Sequence, residues 1–343
     1  MVSIAATVAW GDPLSLTTLS GWRRFTADAP AVPDLLPTHR WDHLSLQDRQ
    51  AYDEDRLDHH TRLTAVATDT LRQVVTTGRR LTLLNRHAVS GRRGLIVSGP
   101  AGTGKTTAVT QLGKTFHLAD TAAHPGAGER IPVLYVTVPP AATPRMLAAE
   151  FARFLGLPVT ARANITDIIE AVCGVALDAR VGLVCVDEIH NLTMTTRNGA
   201  EASDTLKYFS ERIPATFVYA GIDVDRAGLF TGVRGGQIAG RFTLIPAGSF
   251  PRTPAWQALV ATLEGSLRLH HHPPGTLTQM SGHLHHRTAG MIGSLSHLIR
   301  GAAIDAILTG TEKITRALLD DIAIDHAAHT RHKATTSPAA ATA

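Results

Sequence analysis

The chain has very little cysteine and few aromatic residues. Only Cys173 and Cys185 occur among 343 residues, and Phe, Trp and Tyr together account for 5%. Cysteines that fall in a predicted helix and a predicted strand are typical of small buried hydrophobic residues rather than of a disulfide or a metal pair. Scarce aromatic rings argue against the base-stacking surfaces of single-strand-binding proteins. We therefore expect a protein of a reducing compartment, the cytoplasm.

Long apolar runs are absent too, and the first ten residues lack the basic segment that begins a secretory signal. No run approaches the roughly 20 apolar residues of a membrane-spanning helix, so no membrane association is expected.

The histidine-rich segments at residues 270–272 and 283–286 are not accompanied by cysteine, and consecutive residues cannot all face one metal ion. No zinc site is predicted.

Acidic residues are missing from two long stretches of a chain whose net charge is only +4. None lies between Thr70 and Ala119, and Glu264 is the only one between Arg226 and Ile304. Positive charge segregated in this way is typical of a surface that binds a polyanion. The alternative is that these arginines solvate helices and pair with acids elsewhere in the fold. The candidates for contact with DNA phosphates are Arg79, Arg80, Arg92 and Arg93.

A glycine-rich segment follows the apolar run at residues 95–97 directly. Glycines let consecutive backbone N–H groups point at a phosphate because no Cβ stands in the way. Lys105 would supply positive charge to the β- and γ-phosphates, and the Thr106 hydroxyl would ligate Mg²⁺. The pattern predicts binding of ATP or GTP with Mg²⁺. The predicted binding residues are Gly99, Pro100, Ala101, Gly102, Thr103, Gly104, Lys105, Thr106 and Thr107.

Another apolar strand, at residues 183–186, runs directly into Asp187 and Glu188. This is the Walker B pattern, and the strand would carry Asp187 to the carboxyl edge of the sheet, where open α/β sheets bind their ligands. Asp187 would complete the Mg²⁺ shell, Glu188 would orient and polarise the attacking water, and Lys105 would assist phosphoryl transfer. An isolated Asp-Glu pair is commonly a solvated strand end, but its place after a phosphate loop favours hydrolysis.

Apolar strands alternate with helices through the middle of the chain, and helices alone follow Pro251. This alternation predicts an α/β fold with a parallel sheet flanked by helices. Five strands are predicted, at residues 94–98, 133–138, 181–186, 216–220 and 242–245. Helices are predicted at residues 45–60 and 63–85, from the capping pair Thr143-Pro144 to residue 155, and, after Pro251, at residues 254–267, 276–287, 292–308 and 311–326. The predicted organisation is a loosely ordered extension (1–40), a helical lead-in (41–90), a nucleotide-binding core (91–250), an all-helical domain (251–328) and a disordered tail (329–343).

Phosphoryl transfer also needs positive charge on the developing transition state, and an arginine of a neighbouring subunit is a common source. Arg241 comes immediately before the fifth predicted strand, which is the subunit-facing rim in a ring-forming ATPase. Arg234 is the competing candidate, and an ordinary surface arginine is the alternative for either. We predict that Arg241 is catalytic within a homo-oligomer.

Together, the segments 99–107 and 184–192, the strand entry at 241–242 and the helical C-terminal domain resemble an AAA+ ATPase, in which that domain is a lid. More narrowly, residues 56–60, 83–86 and 288–299 are similar to the TniB/TnsC transposition regulators. Two features depart from the AAA+ pattern. Gly293 replaces the sensor arginine expected three residues after Gly290, which leaves Arg287 or Arg300 as substitutes. After the fourth strand, only Asp223 is available as a polar sensor.

The resemblance implies an ATP-dependent helper protein. In that family, ATP binding drives assembly into rings or filaments on duplex DNA, the assembly recruits a DDE-type transposase, and hydrolysis takes it apart. The missing sensors imply slow, switch-like hydrolysis. Two alternatives remain open from the sequence: an AAA+ ATPase acting on protein assemblies, of the secretion or signalling type, and a replication ATPase resembling a helicase loader.

Overall fold

A five-stranded sheet forms the core of one of two compact units in the computed structural model. The structure describes residues 15–126, 129–160, 162–192, 196–224 and 240–324. Within these, unit 1 combines the stretches that belong to Met1–Asp28, Gln73–Ser98 and Ala108–Ile245. Unit 2 combines those that belong to Ala29–Arg72, Gly99–Thr107 and Pro246–Ala343.

The sheet has the strand order β2-β3-β4-β1-β5. The pairs β1–β4, β3–β4 and β2–β3 are parallel. Strands β1, β3 and β4 are buried along their whole length, as expected for a sheet covered on both faces. This confirms the predicted fold class. The strands are β1 (Gly94–Ser98), β2 (Val133–Thr137), β3 (Leu183–Asp187), β4 (Thr216–Gly221) and β5 (Phe242–Pro246).

Among the described residues, six helices precede, follow or connect the strands of this sheet, and their ends follow local capping chemistry. Thr143 caps α6 by accepting a hydrogen bond from the Met146 N–H, and Pro144 occupies the first helical turn. Asn164 caps α7 in the same way. The helices are α1 (Leu19–Ala27), α4 (Asp69–Leu84), α5 (Lys105–Ala123), α6 (Pro144–Phe154), α7 (Ile165–Asp178) and α8 (Arg197–Arg212).

Helix α1 corrects the prediction of loose order for residues 1–40. Trp22 on this helix is fully buried and stacks on Tyr135 of β2 with ring centroids 5.7 Å apart. A Cβ at Gly113 of α5 would lie 2.6 Å from the Trp22 ring, so this glycine makes room for it. The Thr18 side chain caps this nine-residue helix by accepting a hydrogen bond from the Gly21 N–H. Residues 1–14 lie outside the described part.

Unit 2 is helical around a core that includes Trp256, Leu284, Leu295 and Leu298, all fully buried. Leu57 of α3 packs against this same core. The predicted lead-in (41–90) is therefore not one segment, because α3 packs on the unit 2 helices that follow Pro251, here called the lid, while the chain from Gln73 onward belongs to unit 1. The helices are α2 (Thr38–Trp41), α3 (Leu46–Thr61), α9 (Pro254–Gly265), α10 (Thr276–Gln279), α11 (Ser281–Thr288), α12 (Ile292–Leu308) and α13 (Arg316–Asp321).

A buried ion pair holds α3 on the lid. Arg56 is fully buried and donates to both carboxylate oxygens of Glu312, at 2.7 and 2.8 Å, and to the Arg268 carbonyl at 3.0 Å. Arg300 on α12 donates to the carbonyls of His60 and Thr61 at the end of α3. These contacts join the beginning of the chain to its last described helices.

Two predicted lid helices differ from the observed ones. The helix predicted from Thr276 to Arg287 is broken at Met280 into α10 and α11. The last helix is described only over α13, after a turn in which Glu312 has a φ of 53°. Residues 325–343, including the predicted disordered tail, lie outside the described part. No single described helix is long and apolar enough to cross a membrane, although α11 and α12, bent by 117°, pass that test as a pair.

Candidate functional site

The glycine-rich loop leaves β1 directly after Ser98 and begins α5 at Lys105. Gly102 and Gly104 have φ values of 78° and 85°, the left-handed region that favours glycine. Lys105 is 7% exposed, and its Nζ donates to the Pro100 carbonyl at 2.7 Å. The loop therefore has the backbone conformation and the buried cation that phosphate binding requires.

The first turn of α12 packs against this loop within unit 2. The Gly293 N–H donates to the Gly102 carbonyl at 2.9 Å. A Cβ at Gly293 would lie 3.1 Å from that oxygen and 3.2 Å from the Gly102 Cα, which is tighter than ordinary contact. Position 293 is where the AAA+ pattern places a sensor arginine. Glycine stands there because the helix backbone meets the loop backbone directly.

The two arginines considered as substitute sensors are engaged elsewhere in unit 2. Arg287 donates to the carbonyls of Leu319 and Ile322, both at 2.8 Å, and to the Asp320 carboxylate. Arg300 holds the end of α3, as described above. In this structure both guanidinium groups fasten helices of the lid together.

Asp187 ends β3 and is 2% exposed. The Tyr135 hydroxyl donates to its Oδ2 at 3.0 Å, and the Glu188 N–H donates to its Oδ1 at 2.8 Å. Burial and the neighbouring Asp187 carboxylate raise the pKa of Tyr135 above its usual range, so its hydroxyl stays a hydrogen-bond donor. Two donors thus orient the carboxylate, and carboxylate and hydroxyl oxygens are the donors that Mg²⁺ prefers.

Glu188 adopts a left-handed backbone conformation, with φ 56° and ψ 34°. Its side chain is 42% exposed, and its Oε2 lies 3.3 Å from Nε2 of His190. Nδ1 of His190 lies 3.2 Å from the Ile222 N–H, which can only donate, so Nδ1 accepts and Nε2 carries the proton. His190 therefore links Glu188 to the end of β4. Asp223, the predicted polar sensor, is exposed and has a φ of 43°.

Arg241 lies at the amino edge of the sheet, the edge at which the strands begin. Its carbonyl accepts a hydrogen bond from the N–H of Gly94, the first residue of β1, at 3.0 Å. Asp187 lies at the opposite edge, and the four steps of β1 span about 13 Å. Arg241 is exposed. The competing Arg234 lies outside the described residues.

The DNA-contact candidates divide into two groups. Arg92 and Arg93 line a cavity of about 310 Å³ together with Arg241. Arg79 and Arg80 are exposed on α4 and do not line it. The sequence assigned Arg241 and the two loop arginines to different functions, whereas the structure brings them together because β5 lies beside β1.

The histidines and cysteines have structural surroundings. The His270 ring stacks on Trp41, with centroids 4.2 Å apart, and His272 lies 3.2 Å from Glu264. Within the described ranges, no group of three or more His, Cys, Asp or Glu could hold a metal ion. Cys173 and Cys185 are buried free thiols, and burial raises the pKa of Cys173 to about 11.

Comparison with known proteins identifies one domain. The family model described as an AAA domain matches residues 86–225. Residues 86–225 are therefore similar to an AAA domain. The matched stretch includes the glycine-rich loop, Asp187 and Glu188, and a domain of this kind implies nucleotide binding. No curated protein matches the chain. The narrower resemblance to TniB/TnsC regulators is not confirmed and stays a prediction.

Solved structures with the same fold include ORC proteins of Aeropyrum pernix. The ORC2 protein of Aeropyrum pernix, as ADPNP-ADP complexes, is 17% identical with a TM-score of 0.59, over 76% of this chain and 69% of that one. Its ADP form is 18% identical with a TM-score of 0.58, over 77% and 70%. The ORC1 protein of the same organism, in complex with DNA, is 16% identical with a TM-score of 0.57, over 78% and 66%. At these identities the likeness is one of fold.

Proposed function

We propose that this protein is an ATP-dependent DNA-binding ATPase whose nucleotide state controls its assembly on duplex DNA. The observation that carries the proposal is the carboxyl edge of the sheet. Ser98 of β1 and Asp187 of β3 both end at this edge, and the glycine-rich loop continues from Ser98. Ligands of open α/β sheets bind at such an edge.

In this proposal the loop backbone and Lys105 hold the triphosphate. The Thr106 hydroxyl and the Asp187 carboxylate would hold Mg²⁺, which would neutralise charge on the transferring phosphoryl group. Glu188 orients the attacking water and accepts its proton. The hydrogen bond from His190 Nε2 keeps the Glu188 carboxylate in one orientation.

Hydrolysis in this proposal needs a second copy of the chain. Arg241 stands about 13 Å from the carboxyl edge, the length of one strand, so it can serve only the nucleotide of a neighbouring subunit. Removing such a finger typically costs about 10³–10⁵ in turnover. The oligomer would be a ring or a filament.

Duplex DNA is the proposed partner because acidic residues are absent between Thr70 and Ala119, and because one structure of the same fold is an ORC1 protein in complex with DNA. Two downstream partners are considered. The resemblance to TniB/TnsC favours a DDE-type transposase. The likeness in fold to ORC proteins favours a role like that of a helicase loader, with a replicative helicase as the partner.

The proposal is tested by the anisotropy of fluorescent duplex DNA with ATP, ADP or no nucleotide, over a salt series, followed by electron microscopy. We expect ATP-dependent, salt-sensitive binding and rings or filaments. Glu188→Gln should trap the assembly, and Lys105→Ala should prevent it. Lys313→Ala and Glu129→Gln, at exposed positions, are the matched controls. Equal assembly by Glu188→Gln and Lys105→Ala, or no binding at low salt, would refute the proposal.

The downstream partner is tested separately. Stimulation of ATPase activity by a transposase encoded beside this gene would support the transposition role. Loading of a replicative helicase onto DNA would instead support the helicase-loader role. If the protein assembles on DNA but shows neither effect, both proposed partners are excluded and the ATPase proposal is unaffected.

A further inference from the structure

A cavity at the amino edge of the sheet has the chemistry of an anion site. We call it the amino-edge pocket. It has a volume of about 310 Å³, within the roughly 300–1,000 Å³ of small-molecule pockets. Four of its lining residues are cationic, and one is acidic. These are Arg92, Arg93, Lys207, Arg241 and Glu211.

The loop that carries two of these arginines is rigidly held. The Asn85 side chain donates to the Arg93 carbonyl at 2.7 Å and accepts from the Arg93 N–H at 2.9 Å. Asn85 is 9% exposed and is itself anchored to the Thr216 hydroxyl at 2.9 Å. The Gly94 N–H fixes the backbone of Arg241 in turn. The backbone at Arg93 and Arg241 is therefore fixed before any ligand arrives, which lowers the entropic cost of binding.

One of the cations has unused hydrogen-bonding capacity. Nε of Arg92 is buried, and it has no hydrogen-bond partner among the residues that the structure describes. A buried donor without a partner costs about 1–3 kcal/mol. Phe217 and Phe242 also line the pocket. Apolar walls lower the local dielectric and strengthen attraction between an arginine and an anion.

We propose that the amino-edge pocket is a second phosphate-binding site, separate from the glycine-rich loop. The cationic excess favours a phosphate over a single carboxylate, and arginine forks match phosphate oxygens in pairs. The phosphate belongs either to a small phosphate ester or to the backbone of nucleic acid. Only the second source rests on the proposed function.

The probe is pyrophosphate, titrated by calorimetry at low salt into Lys105→Ala protein, in which the glycine-rich loop has lost its phosphate-binding lysine. Wild-type protein saturated with ADP and Mg²⁺ is the second sample, in case the variant folds poorly. We expect saturable binding that Arg92→Gln and Arg93→Gln each weaken at least tenfold. Arg86→Gln removes the same charge from an exposed position that does not line the pocket, and it should change the affinity less than twofold.

Competition with duplex DNA identifies the source. Displacement of the duplex by pyrophosphate, together with weakened duplex binding by Arg93→Gln, indicates the nucleic-acid backbone. Pyrophosphate binding without displacement indicates a small phosphate ester. Pyrophosphate that binds no better than acetate, or that binds Arg92→Gln and Arg93→Gln as tightly as Arg86→Gln, would overturn the proposal. None of these readouts requires ATP hydrolysis.

Discussion

Replacing Arg56 with methionine should release α3 from the lid. The substitution keeps an apolar stem of similar length but removes the guanidinium that meets both oxygens of Glu312. Glu312 has a side chain that is 1% exposed, and among the described residues its carboxylate also accepts a hydrogen bond from the His270 N–H, at 3.1 Å. The variant therefore leaves a carboxylate buried with its charge uncompensated.

The magnitude follows from that burial. Removing one partner of a buried ion pair costs about 3–5 kcal/mol, because the remaining charge cannot regain its hydration. In a unit of this size the loss corresponds to a fall in Tm on the order of 10–20 °C. Arg56→Met combined with Glu312→Met removes both charges and should be less destabilised than Arg56→Met alone. Arg72→Met breaks an ion pair with Asp69 whose side chains are 66% and 92% exposed, and it should cost less than about 1 kcal/mol.

Trp41 is one of four tryptophans whose fluorescence reports this transition. Its ring stacks on His270 and lies 3.7 Å below the guanidinium of Arg49, all within unit 2. Unfolding in urea, followed by tryptophan fluorescence, gives the free energy for each variant. A cost for Arg56→Met no larger than that for Arg72→Met would show that the pair does not hold α3 on the lid.

Three further outcomes are expected. On α12, Gly301→Ala should stabilise the helix by up to about 1 kcal/mol. Gly293→Ala should instead weaken the binding of a fluorescent ATP analogue. Equal affinity of the two variants for the analogue would contradict the contact between α12 and the glycine-rich loop. His190→Ala should lower kcat about tenfold with little change in KM, whereas His190→Gln, which can both donate and accept, should recover part of it. Burial lowers the pKa of His60 to about 3, so the folded state resists protonation of this ring. The folded state therefore loses stability, by about 1.4 kcal/mol per pH unit, as the pH falls from 6.5 towards 3. The free energy of unfolding should depend less on pH in this range for His60→Gln.

Local chemistry made most elements predictable from the sequence. The helix predicted at Ile292–Leu308 is observed with those ends, and Thr143 and Pro144 begin α6 as their capping chemistry requires. Buried parallel strands were recognisable because both faces are apolar. Helix α3 was recognisable as a helix, but its attachment to the lid depends on Arg56 meeting a residue 256 positions away. No local pattern carries that information.

The candidate site, too, was predictable only where its signal is local in the sequence. The spacing of the loop and of Asp187 and Glu188 is a local signal, and these predictions remain to be tested. The role of His190 depends on the Ile222 N–H at the end of another strand. The amino-edge pocket depends on strand order, which places β5 beside β1 and so brings Arg241 to the two loop arginines. The proximity of these three arginines depends on the whole sheet, so no local pattern in the sequence indicates it.

The attachment of α3 to the lid can form only late in synthesis, because Arg56 and Glu312 are far apart in the sequence. Chains grow at about 5–20 residues per second, so Glu312 is made roughly 13–50 s after Arg56. During that interval α3 has left or is leaving the ribosome without its partner, and Leu57 has no lid core to cover it. Unit 2 therefore cannot complete its fold until Glu312 has been made. Slowed translation between these two positions should lengthen the period in which chaperones and proteases can reach α3.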